Sequence, residues 1–492
     1  MVAKSLHSGP SKARWSLLSS CLACVVLIAA VFFTDSQPAY TLPLHKVAAI
    51  PALARKYGLP CSACHTAWPQ LNYFGLAFRD RGYQLGNDRD SPIWQNPSYW
   101  PVTARITPNW HRESTDHQLT DAVPGTANSG FVQGSIVQAG FDLSGMDLWL
   151  LGTLYKNISF SVLPTTDPTA TWHFENAFVR FDNLAGTPWF NLKFGHFELD
   201  NIISEKRFLF LSNNGGLYQN YHFVPVGDTN NFGIGDNQSG IEIQGHNDTS
   251  YTRYTVAVLS STEGGVNLTS SVTAPAPVNN NTGRTYDVFL SFTQGFQAGK
   301  LGLERIEPFF YYGRRPTVFN QTAEGSVIPG TGTGNKPFYR VGFQGDMYAG
   351  KFEFLPFFQH GEDNAYLANA TGANVPLSPG MQNASWNGGF IETHYYWNPQ
   401  LVFLQRYELI RMQQQGLKTT PGTQGNIDAY SFGYRWYPIM FSRAGLAWHN
   451  EYSIVKSIGQ IPLSLDGSGI PPLTSTTPVW SSSVFIGFDI DF

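Results

Sequence analysis

Cys61-Ser62-Ala63-Cys64-His65 is the stretch whose residue types and spacing carry a specific chemistry. Two thiols two residues apart can add to the two vinyl groups of one haem. A histidine directly after the second thiol is then placed to ligate the iron from one face. With 4 Cys and 12 His in 492 residues, the pattern arises by chance in about one chain in a thousand. A redox CxxC pair would sit beside a thioredoxin-like βαβ pattern, and none is visible. A structural zinc site needs four ligands, usually as two pairs, and there is no second pair. The expectation is one covalently bound haem c, attached at Cys61 and Cys64, with His65 as the proximal iron ligand.

The elements around it must position these groups. Pro51 can open a short helix through Tyr57, which Gly58 and Pro60 stop. A second helix is predicted from Pro69, with Leu71, Phe74 and Phe78 on one apolar stripe and Gly82 as its cap. Residues 40–100 form a haem domain and linker too small to bury much core alone. The domain needs the haem, an enclosing wall, or both. No methionine lies between residues 2 and 145, so the opposite iron ligand is not assigned. His45 is the first choice, with His111 the other nearby histidine. Met146 and Met412 could serve only inside a barrel. Arg79 and Arg81 either pair with haem propionates or form a solvated helix end beside Asp80.

Composition sets the class of the remainder. Aromatics are 15% and charged residues 13%, roughly half the usual soluble share. Beyond the N-terminus no apolar run approaches the ~20 residues of a membrane helix. This combination predicts an all-β membrane barrel. A net charge of −4 with mixed signs gives no nucleic-acid footprint. At the start, Lys4, Lys12 and Arg14 precede an apolar run from Trp15 to Phe33 and a turn-forming stretch to Ala39. Residues 1–39 read as a secretory signal peptide, the competing reading being an uncleaved inner-membrane anchor. Cys21 and Cys24, followed by Val25, would leave with the signal.

Residues 101–492 form the predicted barrel. Val484, Ile486, Phe488, Ile490 and the terminal Phe492 alternate with Phe485, Gly487, Asp489 and Asp491. Similar alternation recurs around Phe190, Ile158 and Val288, with apolar residues out and mostly small or polar residues in. It predicts sixteen strands near 102–111, 130–144, 157–163, 173–182, 188–198, 239–247, 252–263, 284–296, 305–316, 336–348, 351–361, 386–397, 401–413, 425–437, 442–456 and 482–492. Tight turns near 183–187, 246–250, 349–351, 398–400 and 438–441 alternate with long loops at 112–129, 199–238, 264–283, 317–335, 362–385 and 457–481. Short turns on the periplasmic side put both barrel ends, and the haem domain, on that side. The neutral loops fit either adaptation to strong acid or ordinary porin chemistry. Phe208, Phe210 and Tyr218 could fold the longest loop inward. Asp287 and Glu408 could bind Fe(II) or simply line a polar lumen. A two-sheet soluble β-protein is the structural alternative.

The combination resembles the outer-membrane proteins in which a monohaem cytochrome c is fused to a porin. The resemblance is carried by Ala54-Arg55-Lys56-Tyr57-Gly58, by Cys61 to Ala67, by Leu71-Asn72, and by Phe78-Arg79-Asp80-Arg81-Gly82-Tyr83. It implies a ferrous iron oxidoreductase. Electrons from extracellular Fe(II) would pass through one haem in the barrel to a periplasmic cytochrome or copper carrier. Two other functions stay open: a passive diffusion porin with an accessory periplasmic haem domain, and a conduit serving another extracellular donor or acceptor.

Overall fold

The computed structural model describes residues 52–57, 59–67, 69–85, 102–123, 131–166, 171–207, 209–228, 230, 232–260, 286–299, 301–317, 334–368, 377–398, 400–440, 445–459 and 476–491. The predicted signal, His45 and the terminal Phe492 lie outside them.

Sixteen antiparallel strands close into one barrel. They follow a short hairpin, β1 (His65–Ala67) and β2 (Gln70–Leu71). The barrel strands in order are β3 (Val102–Asp121), β4 (Phe131–Tyr155), β5 (Ile158–Thr166), β6 (Trp172–Phe181), β7 (Asn191–Glu198) and β8 (Asn237–His246). Next come β9 (Thr252–Ser260), β10 (Tyr286–Gln297), β11 (Leu303–Thr317), β12 (Gly334–Ala349) and β13 (Phe352–Asp363). The wall is completed by β14 (Gln382–Asn398), β15 (Leu401–Gly416), β16 (Ile427–Met440), β17 (Gly445–Ile458) and β18 (Pro478–Asp491). Each pairs with its sequence neighbour, and β18 closes on β3, with Phe485 opposite His111. Closure leaves no open edge, which lipid would not tolerate. The soluble two-sheet alternative is thereby excluded.

Period two decides the facing. On β18, Ile486 and Phe488 point outward and are about 40% exposed, while Phe485 and Asp489 are buried inside. Trp189, Trp397 and Trp436 lie exposed near the short-turn end, where an outer-membrane barrel carries an aromatic girdle. The connections are sharply unequal. Residues 156–157 and 350–351 turn the chain at one end, and 199–236 is among the long connections at the other.

Two expectations need correction. The loop predicted from residue 112 is strand as far as Asp121. Both β3 and β4 run well past the ~9–11 residues needed to span a bilayer, and the outer part of β3, residues 112–121, is mostly polar on both faces. The second plug helix starts four residues later than predicted, at Tyr73, because residues 65–71 form the hairpin and Asn72 caps the helix by accepting from the Gly75 N–H.

The inward residues are largely polar, as the alternation implies, with Glu242, Arg406 and Asp489 buried on the inner face, but aromatic rings share the interior with them. Inward-facing Phe289, Phe309, Tyr311, Phe338, Phe357 and Phe390 pack with Tyr218, Tyr221 and Phe232 into one buried cluster. The last three come from segment 199–236, which folds inside. Phe210 and Tyr218 are buried there as expected, while Phe208 lies outside the described residues. Wall side chains hold the segment by its backbone. Glu307 accepts from the Ile202 N–H at 3.0 Å, and Glu451 accepts from the N–H groups of Leu211 and Ser212 at 2.5 and 2.7 Å. Arg435 donates to the Leu209 carbonyl at 2.7 Å, and Gln359 donates to the Asn220 carbonyl at 3.0 Å. A buried loop must satisfy its peptide groups, and these side chains do so.

Candidate functional site

Helix α1 (Ala52–Tyr57), helix α2 (Cys61–Cys64), the β1–β2 hairpin and helix α3 (Tyr73–Asp80) make a small plug. It belongs to the same compact unit as the barrel, Val47–Phe492. The plug sits inside the wall at the short-turn end. Arg180 of β6 donates to the carbonyls of Arg79 and Asp80 at 2.6 and 3.2 Å, and Gln84 donates to the carbonyl of Lys156 at 2.8 Å. Gln70 donates to Glu353 at 2.8 Å.

A buried charge cluster completes the docking. Arg253 of β9 pairs with Asp80 at 2.7 Å and also with Asp200. Arg79 pairs with Asp200 at 2.8 Å. Burial alone would push both carboxyls up, but Arg253 and Arg79 outweigh it and hold Asp80 and Asp200 below the usual carboxylate range. Arg79 is therefore buried and paired, not a solvated helix end. Arg81 is more exposed and donates to the Asp248 carbonyl.

The plug also fixes the geometry of the CxxCH loop. Asn72 donates from its side chain to the carbonyls of Ser62 and Ala63 at 3.2 and 3.1 Å, and its backbone N–H donates to the Cys64 carbonyl at 2.9 Å. Gly75 packs directly on that carbonyl. His65 Nδ1 lies 3.1 Å from the Pro69 carbonyl and 3.2 Å from the Gln70 carbonyl. Two carbonyls accept only from an N–H, so the proton is on Nδ1 and the lone pair on Nε2. This is the orientation a metal-binding imidazole takes. Burial lowers the His65 pKa to about 4, against the two carbonyls, so the ring stays neutral as a ligand must be.

Cys64 and His65 line a cavity between the plug and the wall of β3–β8. Its free space, open mouth included, is about 1600 Å3. Leu71 and Phe78 of the predicted stripe line it, with Trp149, Phe178 and Phe197 opposite. The lining is mainly apolar with a cationic margin. There Lys193 pairs with Glu242, and Lys206 with Glu175 at 3.5 Å. Among the described residues Arg207 forms no ion pair, and burial together with neighbouring Arg79 holds its guanidinium below the ordinary range. Sequence reasoning missed Arg207 because it sits more than a hundred residues from the cysteines.

This set fits a haem: the Cys64 thiol, a neutral imidazole protonated on Nδ1, an apolar slot, and a cation for a carboxylate. Thiolates elsewhere would be needed for zinc, and among the described residues no cluster of three or more His, Cys, Asp or Glu could hold a metal ion. Among the residues lining the cavity, His65 is the one histidine and there is no methionine. Met412 packs instead in a separate cluster with Phe223 and Trp386. Asp287 accepts from Tyr311 at 2.7 Å and from Arg315 at 2.8 Å, and Glu408 pairs with Arg406 at 2.8 Å. Both carboxylates are committed to the wall and to the in-folded segment, which does not suit them to capture Fe(II).

No family model matches the chain, and no curated protein matches it. Among solved structures it is similar to an anion-selective porin from Comamonas acidovorans, at 9% identity over 80% of this chain and 99% of that one, with a TM-score of 0.46. It is also similar to the outer membrane channel DcaP of Acinetobacter baumannii, at 10% identity over 78% and 96% of the two chains, with a TM-score of 0.43. A loop-deletion mutant of OmpT, an outer membrane protein of Vibrio cholerae, is 11% identical over 80% of this chain and all of that one, with a TM-score of 0.43.

Proposed function

We propose that this outer-membrane barrel carries one covalently bound haem c on its plug and oxidises extracellular Fe(II), passing electrons inward to a periplasmic cytochrome or copper protein. The observation that carries this reading is His65: its Nδ1 is anchored on two carbonyls while the residue lines the cavity beside Cys64. Cys61 and Cys64 would attach the group, His65 would hold its iron, and Arg207 would face its carboxylates. A haem bound there supplies a one-electron centre. The wall excludes bulk water from one side of it, and the Asp80–Arg253–Asp200–Arg79 cluster keeps the plug seated. The in-folded segment and the side chains packed on it fill the lumen, which favours charge transfer over solute flow.

The test is in-gel haem staining and visible spectroscopy of membranes containing the protein. Haem staining of the wild type that vanishes in Cys61→Ala/Cys64→Ala supports the reading, and retained staining in the double variant contradicts it. Stopped-flow mixing with Fe(II) at acid pH should then produce the reduced-haem band, and its absence removes the iron oxidase role.

A passive diffusion porin is the second reading. The closed sixteen-stranded barrel with one long segment folded inside is a plan that also suits a size-selecting channel. Planar-bilayer recordings separate the two, since a large steady current from haem-loaded protein favours the porin.

A further inference from the structure

We propose that the aromatic rings packed across the lumen are the electron's route from the outer half of the barrel to the cavity at His65, and that the stacked pair Tyr218 and Phe390 is its narrowest point. The proposal rests on the reading that an electron acceptor is bound at that cavity.

The rings form a graded series along the barrel axis. At the long-loop end, Trp386 meets Phe223 with ring centres 5.1 Å apart. The Arg340 guanidinium lies 4.4 Å over Trp386 and 5.7 Å over Phe232, joining the two. Phe232 stacks on Tyr311 at 4.1 Å. At mid-height Tyr218 stacks on Phe390 at 4.5 Å with planes 6° apart, and Phe390 stacks on Phe357 at 4.9 Å. Phe357 meets Tyr221 at 5.0 Å. The inner end reaches the cavity. Phe197 belongs to the same buried cluster and lines the cavity. Tyr218 also borders a small recess with Leu71 and Arg207, two residues that line the His65 cavity as well.

A solute channel has no need for this arrangement. Outer-membrane barrels ordinarily keep a polar interior, and stacked rings in the lumen displace water. The rings from Phe232 to Phe197 belong to one buried cluster, some stacked and some edge-on, and the gaps between its ring groups are filled by packed side chains, a shorter tunnelling path than water would leave. One electron leaves Fe(II), which becomes Fe(III), and enters the acceptor in the cavity. No bond forms and no proton moves, and the rings stay neutral and closed-shell. Neither Tyr218 nor Tyr221 is suited to lose its proton, since burial raises both phenols well above their ordinary range. The route therefore needs rings, not hydroxyls.

The experiment uses outer-membrane vesicles from cells making the full chain, with the barrel in its native orientation. External Fe(II) is added and the reduced-haem band is followed. Tyr218→Leu/Phe390→Leu should slow this reduction about tenfold or more, while the oxidised spectrum, the midpoint potential and reduction by dithionite stay as in wild type. Tyr218→Phe should keep the wild-type rate. Equal rates in wild type and the leucine pair overturn the route, as does a loss in Tyr218→Phe as large as in the leucine pair. A wild type that dithionite reduces but Fe(II) does not overturns the proposed function itself. A seal is distinguished from a route by planar-bilayer conductance of haem-free Cys61→Ala/Cys64→Ala protein. There the leucine pair should add no current, and a new open channel would overturn the route in favour of a plug. If the leucine pair fails to assemble, seen as loss of heat-modifiable gel migration, Phe390→Leu alone is read by the same rates.

Discussion

Gly75 lies so close to Cys64 that a β-carbon at residue 75 would stand 2.1 Å from the Cys64 carbonyl oxygen. Helices α3 and α2 therefore touch backbone to backbone. Gly75→Ala must push them apart, and the Asn72 bonds to Ser62, Ala63 and Cys64 are the first to go. We expect the variant to assemble its barrel with normal gel migration yet to stain weakly for haem. Staining equal to wild type would show that the helix tolerates the displacement.

Asn72 works from both ends, capping α3 through Gly75 and holding Ser62 and Ala63. Asn72→Ala should cost about 0.5–2 kcal/mol of helix stability. Faster proteolysis of the 52–85 segment, with the barrel intact, is the readout. Asn72→Asp should recover the cap but not the donated bonds, so it should restore only part of the protection.

Acid should release the plug only at unusually low pH. Asp80 and Asp200 have folded pKa values below their unfolded ones, so their contribution is fully present above about pH 3.9 and is lost as pH falls through the lower folded values. Pepsin cleavage of the plug as a function of pH should stay slow through pH 3.9 and rise below it. Asp200→Asn leaves Arg253 and Arg79 short of a buried partner, a loss of about 3–5 kcal/mol by analogy with other broken buried pairs. Its cleavage should begin at higher pH; an unchanged profile would mean that the cluster does not seat the plug.

Arg207 should matter for the potential of the proposed haem rather than for its attachment. Arg207→Leu should keep covalent staining while changing the midpoint potential, because a cation near a bound carboxylate tunes the iron. A potential identical to wild type would remove Arg207 from the site.

The barrel was legible where strands cross lipid, because one face must be apolar and the other not. All sixteen strands follow from that alternation. It failed outside the bilayer, where residues 112–121 are polar on both faces, and it failed at Phe309-Phe310-Tyr311-Tyr312, where aromatics fill both phases. There the sequence cannot tell a lipid-facing ring from a lumen-facing one, so the packed interior stayed hidden. Cys64 and His65 stood out in the sequence by their spacing, and the structure places both on one cavity. The partners of the plug were not, since Asp200, Arg253 and Arg207 meet it only through the closure of a wall.

The seam of that wall has a consequence for biogenesis. The strand that follows the plug, β3, zips to the last one, β18, so the cylinder cannot shut until synthesis and export of the whole chain are done. Once it shuts, Cys64 faces the cavity between the plug and the wall of β3–β8. On the function proposed above, attachment at Cys64 would come before the plug is seated, and closure of the wall second.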